Sequence, residues 1–348
     1  MSFQKCTYVM VVCSLMLMLA GATIAQQVDY GIHAPDYSRV ARSGWQFLKL
    51  PTNARYAALG GIVTSIANGE AASALGNPAS ITDVDNLGIS VSNMNYLADI
   101  SYQSGSVVKN FDEWGTFGVN VIYLDYGDMI RTENIEQFDA DGNSLGRTRP
   151  DLSAGTVTGG DFGIGLNYAR RVTNKLQIGG TIRLVQEDLD GAKTTNWTID
   201  VGTVYYTGIK TLRIAMLGRN FGPDAEFVDY KERIGIPAMK VPTPMMFQLG
   251  AAIDILEGRD DNPHLWTVAA EFTHPNDGPE KVHLGSEYTF MDFAMLRAGY
   301  KFNYDEEGLT LGGGVRIHNG AYGVLIDYAY VQFGRLGQVH MFSVGFSM

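Results

Sequence analysis

From residue 86 to the end of the chain, apolar and polar residues alternate in short segments. A period of two marks a β-strand, whose successive side chains point to opposite faces. In KLQIGGTIRLV, Leu176, Ile178, Ile182 and Leu184 fall on one face, and Gln177, Gly179, Thr181 and Arg183 on the other. In AMLRAGYKFN, Ala294, Leu296, Tyr300 and Phe302 oppose Arg297, Gly299, Lys301 and Asn303. LTLGGGVRIH sets Leu309, Leu311, Val315 and Ile317 against Thr310, Gly312, Gly314, Arg316 and His318. Fourteen strands are predicted, near 86–95, 99–109, 115–125, 160–171, 175–187, 195–206, 210–220, 243–255, 264–273, 280–289, 292–304, 308–318, 320–332 and 337–348.

A soluble sandwich also alternates, with its apolar face inward. Here the polar faces carry Gly, Ser, Thr and isolated charges, which suits a water-filled lumen. Aromatic residues sit at strand ends (Tyr123, Tyr126, Tyr205, Tyr206, Tyr300, Tyr304, Tyr328 and Tyr330), where a girdle at the membrane interface would place them. Joins after even strands are mostly short (VTNK, TGIKT, FMD, HNG), and the two longest, Gly127–Gly159 and Phe221–Pro242, follow odd strands. With both termini on the periplasmic side, short turns lie inside and long loops outside, as in bacterial outer-membrane barrels of even strand number. EGRDDNPH is a longer join on the short-turn side and breaks the pattern. The last strand puts Phe342, Val344, Phe346 and Met348 on one face, ending in Met where barrel chains usually end in an aromatic residue.

The first residues are set apart from the fold. Lys5, an apolar run from Tyr8 to Ala20 and the small-residue end ATIAQQ read as a signal peptide, residues 1–25, cleaved near Ala25. The run is far shorter than the roughly 20 residues a helix needs to cross a bilayer. Cys6 and Cys13 both lie within it, so the mature chain has no thiol for a disulfide, metal site or nucleophile. Without Lys5, 25 cations face 37 acids, a charge of about −12 that excludes nucleic acid as a partner. No mature segment has 18 uninterrupted apolar residues, so a membrane would be crossed by a closed barrel.

Fourteen strands enclose a lumen wider than side chains can fill, since a barrel of about eight strands closes solid. The residues before the first strand, about 30 to 85, with FLKLPTNARYAALGGIVTSIANGEAASALGNPASI at 47–81, are the one sizeable non-strand block on the periplasmic side and are expected to fold as a plug of helical turns. FLKLPTNARYAALGG with ALGNPASI resembles the N-terminal hatch of the PorV/PorQ family, relatives of FadL-type transporters. The later segments GDFGIGLNYARRVTNKLQIGGTIRLVQE, LRIAMLGRNFGPDAEF and DYAYVQFGRLGQVHMFSVGF resemble that family's strands in order.

The resemblance implies an all-β fold: a 14-stranded antiparallel transmembrane β-barrel with an N-terminal hatch. The organisation expected is a signal peptide (1–25), an N-terminal segment and hatch (26–85) and a barrel (86–348) in a bacterial outer membrane. It implies that Asn77, Pro78 and Ala79 are the hatch motif. It also implies a non-enzymatic role in type IX protein secretion, with a large translocon barrel and the C-terminal domains of secreted cargo as partners beside the surrounding lipids. The alternative is FadL-like passive transport of long-chain fatty acids or another hydrophobic small molecule, for which the hatch residues Phe47, Leu48, Leu50 and Leu59 would line a pocket. Lumen faces rich in glycine and charge lean against uptake.

Other motifs weaken on inspection. Asp139, Asp141 and Asn143 have calcium-like spacing, but Gly142 stands fourth where an EF-type loop needs glycine sixth, and the twelfth position is Pro150. A polar loop tip is the expectation. The six histidines form no pair at helical spacing, no GxSxG occurs, and neither a metal nor a cofactor is expected. The run Gly312–Gly314 lies inside a strand, which suits close packing rather than phosphate binding. The lumen charges Arg183, Asp200, Arg213, Asp254, Glu287, Arg297, Lys301, Arg316 and Asp327 either hold the hatch by ion pairs or hydrate the wall.

Overall fold

The computed structural model describes residues 42–348, apart from 67–68, 140, 154, 226–239 and 259–262. The expected signal peptide and both cysteines lie outside the described residues.

The described residues close into an antiparallel barrel of fourteen strands. In chain order these are β1 Leu87–Asn95, β2 Ser101–Asn110, β3 Thr116–Asp125, β4 Gly159–Thr173, β5 Leu176–Leu189, β6 Ala192–Tyr206 and β7 Arg213–Phe221. They continue as β8 Met246–Leu256, β9 His264–Pro275, β10 Lys281–Phe290, β11 Ala294–Phe302, β12 Leu309–Asn319, β13 Tyr322–Gln332 and β14 Gln338–Ser347. The barrel closes where β1 pairs with β14, from Gly88 opposite Ser347 to Asn95 opposite His340. Met348 and Leu87 also exchange both backbone hydrogen bonds, so the final residue still belongs to the seam.

The side chains are arranged inside out relative to a soluble protein. Val91, Leu166, Leu184, Leu296, Ile326 and Val344 are exposed on the outer wall, Leu296 to 68%, while Ser92, Asn120, Thr181, Arg297 and Ser343 are buried inside. An apolar band this continuous fits lipid contact and would be a liability in water. Aromatic rings mark both rims: Phe111, Phe117 and Tyr168 meet at one end, Tyr300 with Phe302 and Tyr328 with Phe342 at the other. Three of the expected girdle residues turn inward instead. Tyr126 donates to Asp161 and Tyr206 to Asp83, while Tyr304 lies beside His283, each drawn from the interface by a polar partner.

We call the end holding Leu87 and Met348 the inner end. The two longest connections, 126–158 and 222–245, both lie at the outer end. The first of these folds back on itself as a β-ribbon arm, Glu133–Phe138 pairing with Ser144–Asp151. At its tip the Asp139 carboxylate accepts from the backbone N–H groups of Asp141 and Asn143 at 2.9 and 2.8 Å, which holds its pKa low. That carboxylate closes a turn. No cluster of three metal-ligating side chains occurs among the described residues.

The segment before β1 runs through the lumen from the outer end to the inner. It contains short 3-10 turns at Gln46–Lys49, Ala71–Leu75 and Pro78–Asp83, and a single α-helical turn, α1 Ala54–Ala58. Asn53 caps α1 by accepting from Arg55 N–H at 2.8 Å. Its backbone lies flat against the wall because the wall there is glycine. A Cβ on Gly299 would collide with the backbone of Gly60 and Leu59, one on Gly312 with Ala58, and one on Gly250 with Thr64.

Candidate binding site in the lumen

The Asn77-Pro78-Ala79 triplet is a docking turn. The Asn77 side chain accepts from Ala79 N–H and donates to the carbonyls of Thr64 (2.9 Å) and of Thr203 in β6 (3.2 Å). Pro78 takes the first helical position, where a missing N–H costs nothing. Gly179 of β5 and Gly202 of β6 leave room for Pro78 and Asn77. The triplet thus ties two hatch turns to each other and to the barrel.

Several lumen charges do grip the hatch, and their partners are hatch residues that the strand pattern could not supply. Arg55 forms a two-pronged pair with Glu287, both contacts at 2.8 Å, and reaches Glu70 at 3.4 Å. Arg297 binds the same Glu287 at 2.6 Å and Asp327 at 2.5 Å, and Arg316 meets Glu70 at 3.0 Å. Arg213 donates to the Ser65 carbonyl at 2.8 Å and pairs with Asp254. Glu271 accepts from the amides of Val63 and Thr64. By contrast, Arg183 and Asp200 pair within the wall, and Lys301 pairs with Glu307.

At the outer end the lumen changes character. Met94, Tyr102, Ile122, Leu124, Val185, Val331, Val339 and Met341 point inward and pack with Trp45, Phe47 and Leu48 of the hatch. The expectation of a charged, glycine-rich lumen therefore fails at the outer end along the side formed by β1, β2, β3, β5, β13 and β14. Of the four hatch residues singled out by sequence, Phe47 and Leu48 are in this apolar cluster and Leu50 packs against it. Leu59 belongs to a different cluster lower down, with Ile62, Ile66, Ala252 and Ala269.

Beside the apolar cluster lies a cavity of about 420 Å³, bounded by the hatch segment Gln46–Pro51 and by the outer ends of β1, β7, β8, β9, β10, β11, β13 and β14. Met94, Tyr96, Val331, Phe333 and Val339 give it an apolar side; Arg219, Lys281, Lys301 and His283 give it a polar one. Tyr96 and Phe333 meet edge to face at 5.7 Å. At the mouth, the Asp277 carboxylate takes hydrogen bonds from Gln46 (2.8 Å) and Lys49 (2.9 Å). Burial alone would push its pKa up, but these two partners outweigh it and hold the group below its usual range. A second cavity of about 380 Å³ lies at the inner end, beside Glu70, Asp83, Asp85 and Asp327. Its four carboxylates face Arg316 as their one lysine or arginine, whereas the outer cavity sets Lys49, Arg219, Lys281 and Lys301 against Asp277, Asp305 and Glu307 beside its apolar side.

No protein-family model matches the chain, and no curated protein does. Solved structures share its architecture. The crystal structure of the Pseudomonas putida toluene transporter TodX matches with a TM-score of 0.53 and 13% identity, covering 86% of this chain and 98% of that one. The CymD monoaromatic hydrocarbon channel matches with a TM-score of 0.56 and 13% identity, over 86% and 98% of the two chains. A Pseudomonas aeruginosa FadL homologue matches with a TM-score of 0.52 and 11% identity, over 85% and 97%. The sequence resemblance to PorV/PorQ proteins has no counterpart among these three. At such identities the likeness is one of fold: the chain has the FadL-like fold, a closed barrel of fourteen strands with its N-terminal segment inside.

Proposed function

We propose that this protein sits in a bacterial outer membrane and passes a hydrophobic small molecule inward, without catalysing a reaction. The observation that carries the reading is the apolar cluster at the outer end of the lumen, where Phe47 and Leu48 pack on inward-facing wall residues. A barrel that only conducted water and ions would have no use for the apolar-sided cavity that lies beside this cluster. Structures of the same fold include a toluene transporter and a monoaromatic hydrocarbon channel, which supports the reading. The test is uptake of naphthalene by whole cells with and without the protein. Faster uptake in its presence supports the proposal; equal uptake sinks it.

Service in type IX secretion, implied by the sequence resemblance, is the second reading. One observation favours it: Ile130, Phe138, Leu145 and Leu152 stand exposed on the surface arm, where they would suit a protein partner. Gentle purification from the native membrane separates the two. Recovery of a large translocon barrel or of exported cargo supports secretion, and recovery of the barrel alone supports uptake.

A further inference from the structure

We infer that the outer cavity binds a compact organic acid, its carboxylate meeting the Arg219 guanidinium and its ring-sized apolar body lying against Met94, Phe333 and Val339. The inference rests on the uptake reading and narrows its substrate class. The charge count leads there. Arg219 lines the cavity, is 5% exposed, donates from Nη2 to the Leu48 carbonyl at 3.3 Å and has no partner for Nε. Arg183, 1% exposed, donates from Nη1 to Asp200 at 3.0 Å, while its Nε and Nη2 are unpartnered. The buried hydroxyl of Tyr102 also lacks a partner.

The other oxygen of Asp200 accepts from Asn220 N–H at 2.7 Å, so two buried guanidinium groups have one carboxylate between them. Glu271 is taken up by the hatch amides and by Gln248. At the rim, Lys49 pairs with Asp277 and Lys301 with Glu307. Lys281 lies over the Tyr304 ring at 3.4 Å, and Asp305 lines the same cavity. Arg219 is left without a carboxylate. A buried cation with unused donors is costly unless an anion completes it.

The cavity volume, about 420 Å³, falls near the lower end of the range for small-molecule sites, which favours a compact body over a long chain. The edge-to-face pair Tyr96–Phe333 offers a third ring a ready place to pack. A neutral hydrocarbon would satisfy this wall and leave Arg219 as it is. An arylalkanoate satisfies both.

The test is calorimetric titration of the whole purified chain in non-ionic detergent with phenylpropionate, the neutral phenylpropanol and palmitate. Phenylpropionate is expected to bind at a saturable site about tenfold tighter than phenylpropanol, the worth of a hydrogen bond to a charged group. Arg219→Gln is expected to erase that preference by lowering the affinity for the acid about tenfold. Lys281→Gln, at the rim, should weaken the acid less. Equal binding of acid and alcohol overturns the inference but leaves hydrophobic uptake standing, and tighter binding of palmitate overturns the compact body. If naphthalene binds but neither phenyl compound does, the inference fails alone; if naphthalene fails too, the uptake reading fails with it. The acid–alcohol comparison on the unaltered chain decides the matter even if Arg219→Gln does not fold.

Discussion

Arg55 shows how much a single hatch residue can hold. It is buried with Glu287 on one side and Glu70 on the other, and both acids also bind wall arginines. Glu287→Gln leaves Arg55 and Arg297 facing a neutral amide in a buried site, the kind of loss that costs about 3–5 kcal/mol. We expect that variant to fold as a barrel, because its lipid-facing wall is untouched, but to release the hatch. Protease cleavage between residues 55 and 85 in the intact barrel would show this; unchanged resistance would mean the pairs are incidental. Asp277 makes a weaker tether at the outer mouth. Its carboxyl is held below the ordinary value of 3.8, so its hold on Gln46 and Lys49 is complete above that pH and is lost as pH falls through the lowered value. An acid-induced loosening of the Gln46–Lys49 turn, seen by hydrogen exchange, should be absent in Asp277→Asn, where the tether is already weak at neutral pH. Neither Arg55 nor Glu70 stood out in the sequence, since nothing in a residue's own neighbourhood says which wall charge it will meet.

At the scale of elements, the strands were legible one by one, and the plug only as a block of helical turns without its path or contacts. Period-two alternation is written into each strand, and lipid outside with polar groups inside makes the contrast strong at Leu184 against Arg183 or Leu296 against Arg297. The hatch has no such period; its shape is imposed by the wall it lies on. Gly299 sits where the backbone of Gly60 passes, so Gly299→Ala should push the hatch away from β11 and raise ion conductance in planar bilayers. Gly105→Ala, whose added methyl meets only the Ser90 carbonyl at 3.6 Å, should leave conductance unchanged. Equal conductance in the two variants would show that the plug is not seated on these glycines. The tyrosines show the limit of position alone. Tyr123 and Tyr300 face outward at the outer rim, whereas Tyr126 and Tyr304 turn toward polar partners on the neighbouring strand.

At the scale of the molecule, the outer apolar cluster is the feature least visible in the sequence. Its wall comes from inward positions at the outer ends of β1, β2, β3, β5, β13 and β14, one or two residues from each, so no single segment reads as apolar inside. Only barrel closure brings Met94, Ile122, Val185, Val331 and Met341 together with Leu48. The direct test of the cavity beside that cluster is saturable binding of naphthalene to the purified barrel, compared between the unaltered chain and Val339→Asp, a residue of both the cluster and the cavity wall. The substitution adds one charge to a wall that already tolerates charge lower down, so the barrel should still assemble. One saturable site, lost in Val339→Asp, is the expected result; no saturable binding, or binding indifferent to that charge, would contradict a hydrophobic carrier built around the outer lumen.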